Sequence, residues 1–146
     1  MRKSKAYFSD IFLYYACGAA SKGVNGTIYT QDLLGSSSLG IVVEEAVLDH
    51  LIKTKEQDSM KHYKTFVRFY NNDKSELDFI YKLENGRHIA IEVKYRNAVQ
   101  FSRVKRLKQI LDYLILSKDS MSKEEGVVEI PVAFFLLLLQ KSESNL

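Results

Sequence analysis

The stretch from Glu76 to Tyr95, ELDFIYKLENGRHIAIEVKY, alternates apolar and polar residues in two runs joined by ENG. Alternation with period two marks a strand buried on one face, and a short Asn-Gly loop between two such runs marks a hairpin. Register then decides which side chains meet. A two-residue loop at Asn85 and Gly86 would pair Asp78 with Val93 and Phe79 with Glu92, mixing charged and apolar residues on both faces. A three-residue loop of Glu84, Asn85 and Gly86, with Gly86 left-handed, instead sets Leu77 against Val93, Phe79 against Ile91 and Tyr81 against Ile89. One face becomes wholly apolar, so the hydrophobic pattern selects this register. On the other face Asp78 lies opposite Glu92, while Lys94, two residues along, lies opposite Glu76. Opposed side chains on neighbouring strands approach to about 5 Å between Cβ atoms. Two carboxylates so placed call for a divalent cation, a shared proton, or the Lys94 ammonium together with solvent. The plain alternative is a surface ion pair on a hydrated face.

The rest of the chain bounds what surrounds this hairpin. With 146 residues, 46% hydrophobic and 27% charged, it reads as one α/β domain over 1–146, comprising an N-terminal helix and loop (1–38) and a core (39–140). From a cap at Ser9 or Asp10, IFLYYACGAA predicts a short helix that ends at the loop SKGVNG. Ser38 caps a second helix in which Leu39, Val43, Val47 and Leu51 repeat at fourfold spacing. Strand-like HYKTFVRFY precedes the hairpin, and the short turns forbid crossover helices, so a three-strand antiparallel meander is expected. FSRVKRLKQILDYLILSK predicts an amphipathic helix with Phe101, Val104, Leu107, Leu111 and Leu114 on one side. PVAFFLLLL, lacking alternation, predicts a final strand buried on both faces.

Several function classes find no support. The single Cys17 excludes an intramolecular disulfide, and no Cys/His grouping has zinc-ligand spacing. The N-terminus lacks a signal-peptide core, and the longest apolar run is far short of a membrane span, so a soluble cytoplasmic domain is expected. The net charge of +3 permits an anionic partner without demanding one. No phosphate-binding Gly-x-x-x-x-Gly-Lys-Ser/Thr loop occurs.

Asp78, followed after thirteen residues by Glu92-Val93-Lys94, resembles the signature of the PD-(D/E)XK, or restriction-endonuclease-like, nuclease superfamily. The helix, three strands, helix, strand order read above is the order of that superfamily's αβββαβ core, a mixed sheet flanked by helices. Glu44 in GIVVEEAVLDHL stands where the superfamily often carries a further acid. The chain from about Lys5 to the final run is also similar to the C-terminal domain of uncharacterised function that follows the P-loop module of many archaeal and bacterial ATPases. The matching positions are Tyr7, Asp10, Gly40, Glu44, Glu76, Asp78, Phe79, Glu92, Val93 and Lys94. Glu45 departs from that pattern, where Asn is usual, as do Ile11 and Phe12.

The resemblance implies that Asp78, Glu92 and Glu44 ligate Mg²⁺ or Mn²⁺ and that Asp78, Glu92 and Lys94 carry phosphodiester hydrolysis. It further implies an ATPase domain as partner, in cis or in trans, and it allows a homo-oligomer. Arg96, Arg103 and Arg106 form a basic stretch suited to nucleic-acid phosphates, although a basic helix face is more often simply solvated. His50, His62 and His88 read as structural or solvated, and Tyr63, Phe66, Phe69 and Tyr70 as core or strand-edge aromatics. The competing expectation is a nuclease-like fold without catalysis, serving as an interaction or regulatory module of an ATPase.

Overall fold

A computed structural model of the protein describes residues 11–36, 38–54, 67–72, 75–83, 85–97, 107, 110 and 112–141. Three helices come first: α1 (Ile11–Lys22), α2 (Gly26–Leu34) and α3 (Leu39–Lys53). Strands β1 (Val67–Asn72), β2 (Ser75–Lys82) and β3 (His88–Lys94) follow, then β4 (Asp112–Ser117), β5 (Ser122–Glu124), β6 (Val127–Pro131) and helix α4 (Val132–Lys141). The six strands make one mixed sheet in the order β1-β2-β3-β4-β6-β5. β1, β2 and β3 form the expected antiparallel meander. β3 and β6 each pair in parallel with β4, and β5 closes the far edge against β6 in antiparallel fashion.

The hairpin turn follows the three-residue reading. Gly86 has φ +80, Leu83 N–H donates to Arg87 O at 2.8 Å and Gly86 N–H to Leu83 O at 3.0 Å. Phe79 pairs with Ile91 and Tyr81 with Ile89. α1 and α3 also lie where the helical patterns put them. Ser38 precedes α3 but makes no side-chain cap bond, being itself helical at φ −74, ψ −12.

Three expectations are corrected. PVAFFLLLL is not a strand: β6 ends at Pro131, and Val132–Lys141 is helical. Its periodicity is real but hidden, because the inward residues Val132, Phe135, Leu136 and Leu139 and the exposed Phe134, Leu137 and Leu138 are all apolar. Leucine and alanine favour helix, and Pro131 cannot extend the ladder. The amphipathic helix expected to run through Leu114 is also absent in its second half, since Asp112–Ser117 is strand β4. With neighbours on both edges and side chains packed on both faces, β4 has the continuous apolar run of a parallel strand. The first half of that expected helix falls almost wholly outside the described residues. Finally, the N-terminal loop contains α2, capped by Asn25, whose Oδ1 accepts from Thr27 N–H at 2.7 Å.

The β5–β6 hairpin, absent from the sequence reading, turns on Glu125 and Gly126, both at positive φ (44 and 81). That is the signature of a two-residue type I′ turn.

Two apolar layers sandwich the sheet. Val47, Leu48, Leu51 and Ile52 of α3 and Val132 and Phe135 of α4 pack on Phe79, Tyr81, Ile91 and Leu116, with Ile89 and Val93 at the margin. The opposite face gathers Leu77, Ala90, Tyr113, Ile115 and Val127 under Ile110 and Leu107. A third cluster joins α1 and α2 to α3 through Ala19, Tyr29, Leu33 and Val42. Glu45 is buried at this junction and electrostatically coupled to Tyr14.

Candidate active site

Alternation along β3 assigns its side chains to faces. Ile89, Ile91 and Val93 belong to the layer under α3 and α4, and Ala90 to the opposite layer. Glu92 and Lys94 therefore share the face of Ala90. They form an ion pair, with Lys94 Nζ 2.6 Å from Glu92 Oε1, and their side chains are 37% and 14% exposed respectively. The lysine stands at the solvent side of a largely covered carboxylate.

Asp78 reaches the same stretch of β3 by a different route from a simple ladder. On its outer edge β2 pairs Ile80 with Arg68 but Leu77 with Tyr70. One residue of β1, Phe69, thus spans two of β2, Asp78 and Phe79, which is a β-bulge. The regular β2–β3 register ends at Phe79 and Ile91. Continued, it would have given the Val93 N–H to the carbonyl of Leu77, since alternate pairs counted from Leu83 and Arg87 exchange main-chain bonds. Instead Asp78 Oδ2 accepts from Val93 N–H at 2.8 Å. The bulge also corrects the expected position of Leu77, which packs in the opposite layer from Phe79 rather than beside it.

The outcome is a compact group centred on Glu92-Val93-Lys94: the buried Asp78 carboxylate on the middle amide, and the flanking acid and base paired with each other. Asp78, Glu92 and Lys94 are thus brought together, with β2 supplying one and β3 two. Glu44 precedes Val47 and Leu48 by three and four residues, on the stripe of α3 that faces the sheet, and is half-buried. Among the described residues no three acidic, histidine or cysteine side chains are grouped so as to hold a metal ion. Arg96 is exposed just beyond β3, its N–H donating to Lys94 O at 2.6 Å. Arg103 and Arg106 lie outside the described residues. No described helix is long and apolar enough to cross a membrane.

Residues that sequence reasoning passed over adjoin this group. In the parallel ladders Glu92, Ile115 and Glu129 occupy one row, and Lys94, Ser117 and Pro131 the next. Ser117 is fully buried, and its Oγ donates to Ser120 O at 2.8 Å and accepts from Ser120 N–H at 3.2 Å. Glu129, 3% exposed, accepts from the hydroxyls of Ser120 and Ser122, the latter at 2.6 Å. The signal available was an acid inside the otherwise apolar VVEIP. Buried acids are rare without partners.

No curated protein and no solved structure matches the chain. A family model described as a domain of unknown function, DUF4143, matches residues 39–134, from the first residue of α3 into the first turn of α4, and takes in Asp78, Glu92, Lys94, Ser117 and Glu129. The chain therefore belongs to the DUF4143 family.

Proposed function

We propose that the chain is a nuclease-like domain that hydrolyses phosphodiester bonds of nucleic acid with a divalent ion at Asp78 and Glu92, and that it works with a P-loop ATPase module in cis or in trans. The observation that carries this reading is the convergence of Asp78 on the amide between Glu92 and Lys94. The strand order β1-β2-β3-β4, with two antiparallel pairings and then a parallel one, supports a restriction-endonuclease-like core. A parallel β3–β4 pair also needs a crossover connection, as that core requires.

The donor set suits Mg²⁺ or Mn²⁺. Both carboxylates offer hard oxygen ligands, and Mg²⁺ commonly takes one or two carboxylates and keeps several waters. Glu44 sits on α3, across the sheet from Glu92 and Lys94, and would add a third ligand only by reaching around the end of β3. The ion would supply Lewis-acid stabilisation and an acidified water. The chain's own contribution is positional. The Val93 amide fixes one oxygen of Asp78. Glu92 holds the Lys94 ammonium at the exposed rim, where it can donate to a phosphate oxygen as negative charge develops.

Incubating end-labelled single- and double-stranded oligonucleotides with Mg²⁺, with Mn²⁺ and with EDTA tests the reading. Cleavage that needs the ion and is lost in Lys94→Ala is the expected result. No cleavage of any substrate with either ion would leave the second reading, a docking or regulatory module of an ATPase. That alternative has its own observation: Phe134, Leu137 and Leu138 form an apolar stripe along α4 that is 55–62% exposed.

A further inference from the structure

β3, β4 and β6 run parallel, so their carboxyl ends lie at one end of the sheet, the end at which open α/β sheets commonly bind ligands. The connection from β4 to β5, residues 118–121, passes over the end of β6, and its first residue adjoins the segment that follows Lys94. Its shape is closely determined. Ser117, with no solvent exposure, holds Ser120 through both the amide and the carbonyl of that residue. Glu129 holds the Ser120 and Ser122 hydroxyls from below. Lys118 N–H donates to Arg96 O at 3.1 Å, which ties the turn to the segment just after Lys94.

A buried carboxylate that spends both oxygens on serine hydroxyls is costly to desolvate, and such a network specifies one backbone conformation. Lys118 lies between Ser117 and Ser120, so the backbone that carries it is held on both sides. Arg96 and Lys118 are both exposed and joined through their main chains, and neither forms an ion pair among the described residues. Lys94 lies two residues before Arg96. The neighbouring acids are unequally accessible: Glu129 is buried and the Glu92 side chain is 14% exposed, leaving Asp119 as the exposed acid of the turn. This end of the sheet thus carries two exposed cations, Arg96 and Lys118, beside the exposed Asp119, with Lys94 paired to Glu92.

We propose that the β4–β5 turn is a preformed phosphate-binding lip, on which Lys118 and Arg96 grip the nucleic-acid backbone next to the bond presented to Lys94, with Ser120 and Glu129 as positioning residues for Lys118. The proposal rests on the nucleic-acid reading of the site and extends it to a single-stranded segment laid across the carboxyl ends of β3 and β4. Such contacts are sequence-blind and release counterions.

The test is fluorescence anisotropy of a labelled oligothymidine in EDTA across a salt series, using the full chain. For a single strand, each phosphate contact removed lowers the slope of log K against log salt by about 0.7. Lys118→Ala is expected to lose about that much, whereas Lys123→Ala, on the outer strand β5, leaves the slope unchanged. Ser120→Ala is expected to weaken binding, and Lys118→Ala with Ser120→Ala to bind no more weakly than Lys118→Ala alone, as coupled residues should. Additive losses would overturn the positioning role. A Lys118→Ala slope equal to that of the unmodified protein, or no salt-dependent binding by the unmodified protein, would overturn the lip. Lys118-dependent binding without Mg²⁺-dependent cleavage would sustain the lip and remove the hydrolytic reading; cleavage with an unchanged Lys118→Ala slope would do the reverse.

Discussion

Asp78 carries two roles that substitution can separate. Its carboxylate closes the ladder where the β2 bulge withdraws the Leu77 carbonyl, accepting from Val93 N–H at 2.8 Å while 93% of the residue's surface is covered. Asp78→Ala removes that acceptor and leaves a main-chain donor in a covered position, a loss of about 2 kcal/mol, within the 1–3 kcal/mol typical of an orphaned buried polar group. For a chain of this length that lowers the thermal midpoint by about 6 °C. Asp78→Asn keeps an oxygen of the same reach and surrenders only the charge assistance, so about 0.5–1 kcal/mol and 2–3 °C are expected. Both variants remove an anionic ligand and should lose metal-dependent cleavage alike. Thermal melts of the three proteins without metal, read beside cleavage with Mg²⁺, separate the two effects. Equal destabilisation by Asn and Ala would refute the acceptor role; a change below about 0.3 kcal/mol for Ala would mean that the bulge closes without it.

Other outcomes follow from burial and packing. Phe79, fully buried between α3 and the sheet, should cost about 3–5 kcal/mol as Phe79→Ala, whereas Leu138→Ala, 62% exposed on α4, should stay within about 0.5 kcal/mol in denaturant titration. At Gly18 a Cβ would fall within 2.7 Å of Tyr29 Cε1 and closer still to its hydroxyl; the helix-propensity gain of about 1 kcal/mol for Gly18→Ala is outweighed by overpacking of 1–3 kcal/mol, and faster amide exchange confined to α1 and α2 should report it. Burial raises the Tyr14 phenol above 10.0, with Tyr29, Glu45 and Tyr15 adding to the effect. The folded state therefore holds that proton more tightly. The stability linked to it is intact below pH 10 and is lost as pH rises through the raised value, so Tyr14→Phe should flatten the alkaline decline in a pH series of melts.

The hairpin was legible because alternation and an Asn-Gly turn admit one register that segregates apolar from charged residues, and the Phe79–Ile91 and Tyr81–Ile89 pairs follow it. What alternation cannot encode is a bulge. Leu77 is apolar in either layer, so its transfer to the opposite face leaves no mark in the sequence, and the contact of Asp78 with Val93 arises only once the bulge has formed. α4 and β4 escape the sequence for different reasons: a helix apolar on every side shows no period, whereas the helical spacing of Leu107, Leu111 and Leu114 runs on into a doubly covered parallel strand that is apolar in either reading. The Ser117–Glu129 clamp lay beyond reach because its members meet only once β4, β5 and β6 are paired. Glu44 enters through the family resemblance alone, and a motif does not say that α3 packs on the face of the sheet opposite Glu92 and Lys94.

That Asp78 and Glu92 form one divalent-ion site is the claim on which the hydrolytic reading depends, and calorimetric titration with Mn²⁺ tests it most directly. One binding event in the millimolar range or tighter is predicted for the unmodified protein, retained in Lys94→Ala and abolished in both Asp78→Asn and Glu92→Gln. Absence of binding to the unmodified, folded protein, or heats unchanged in the two carboxylate variants, would contradict it.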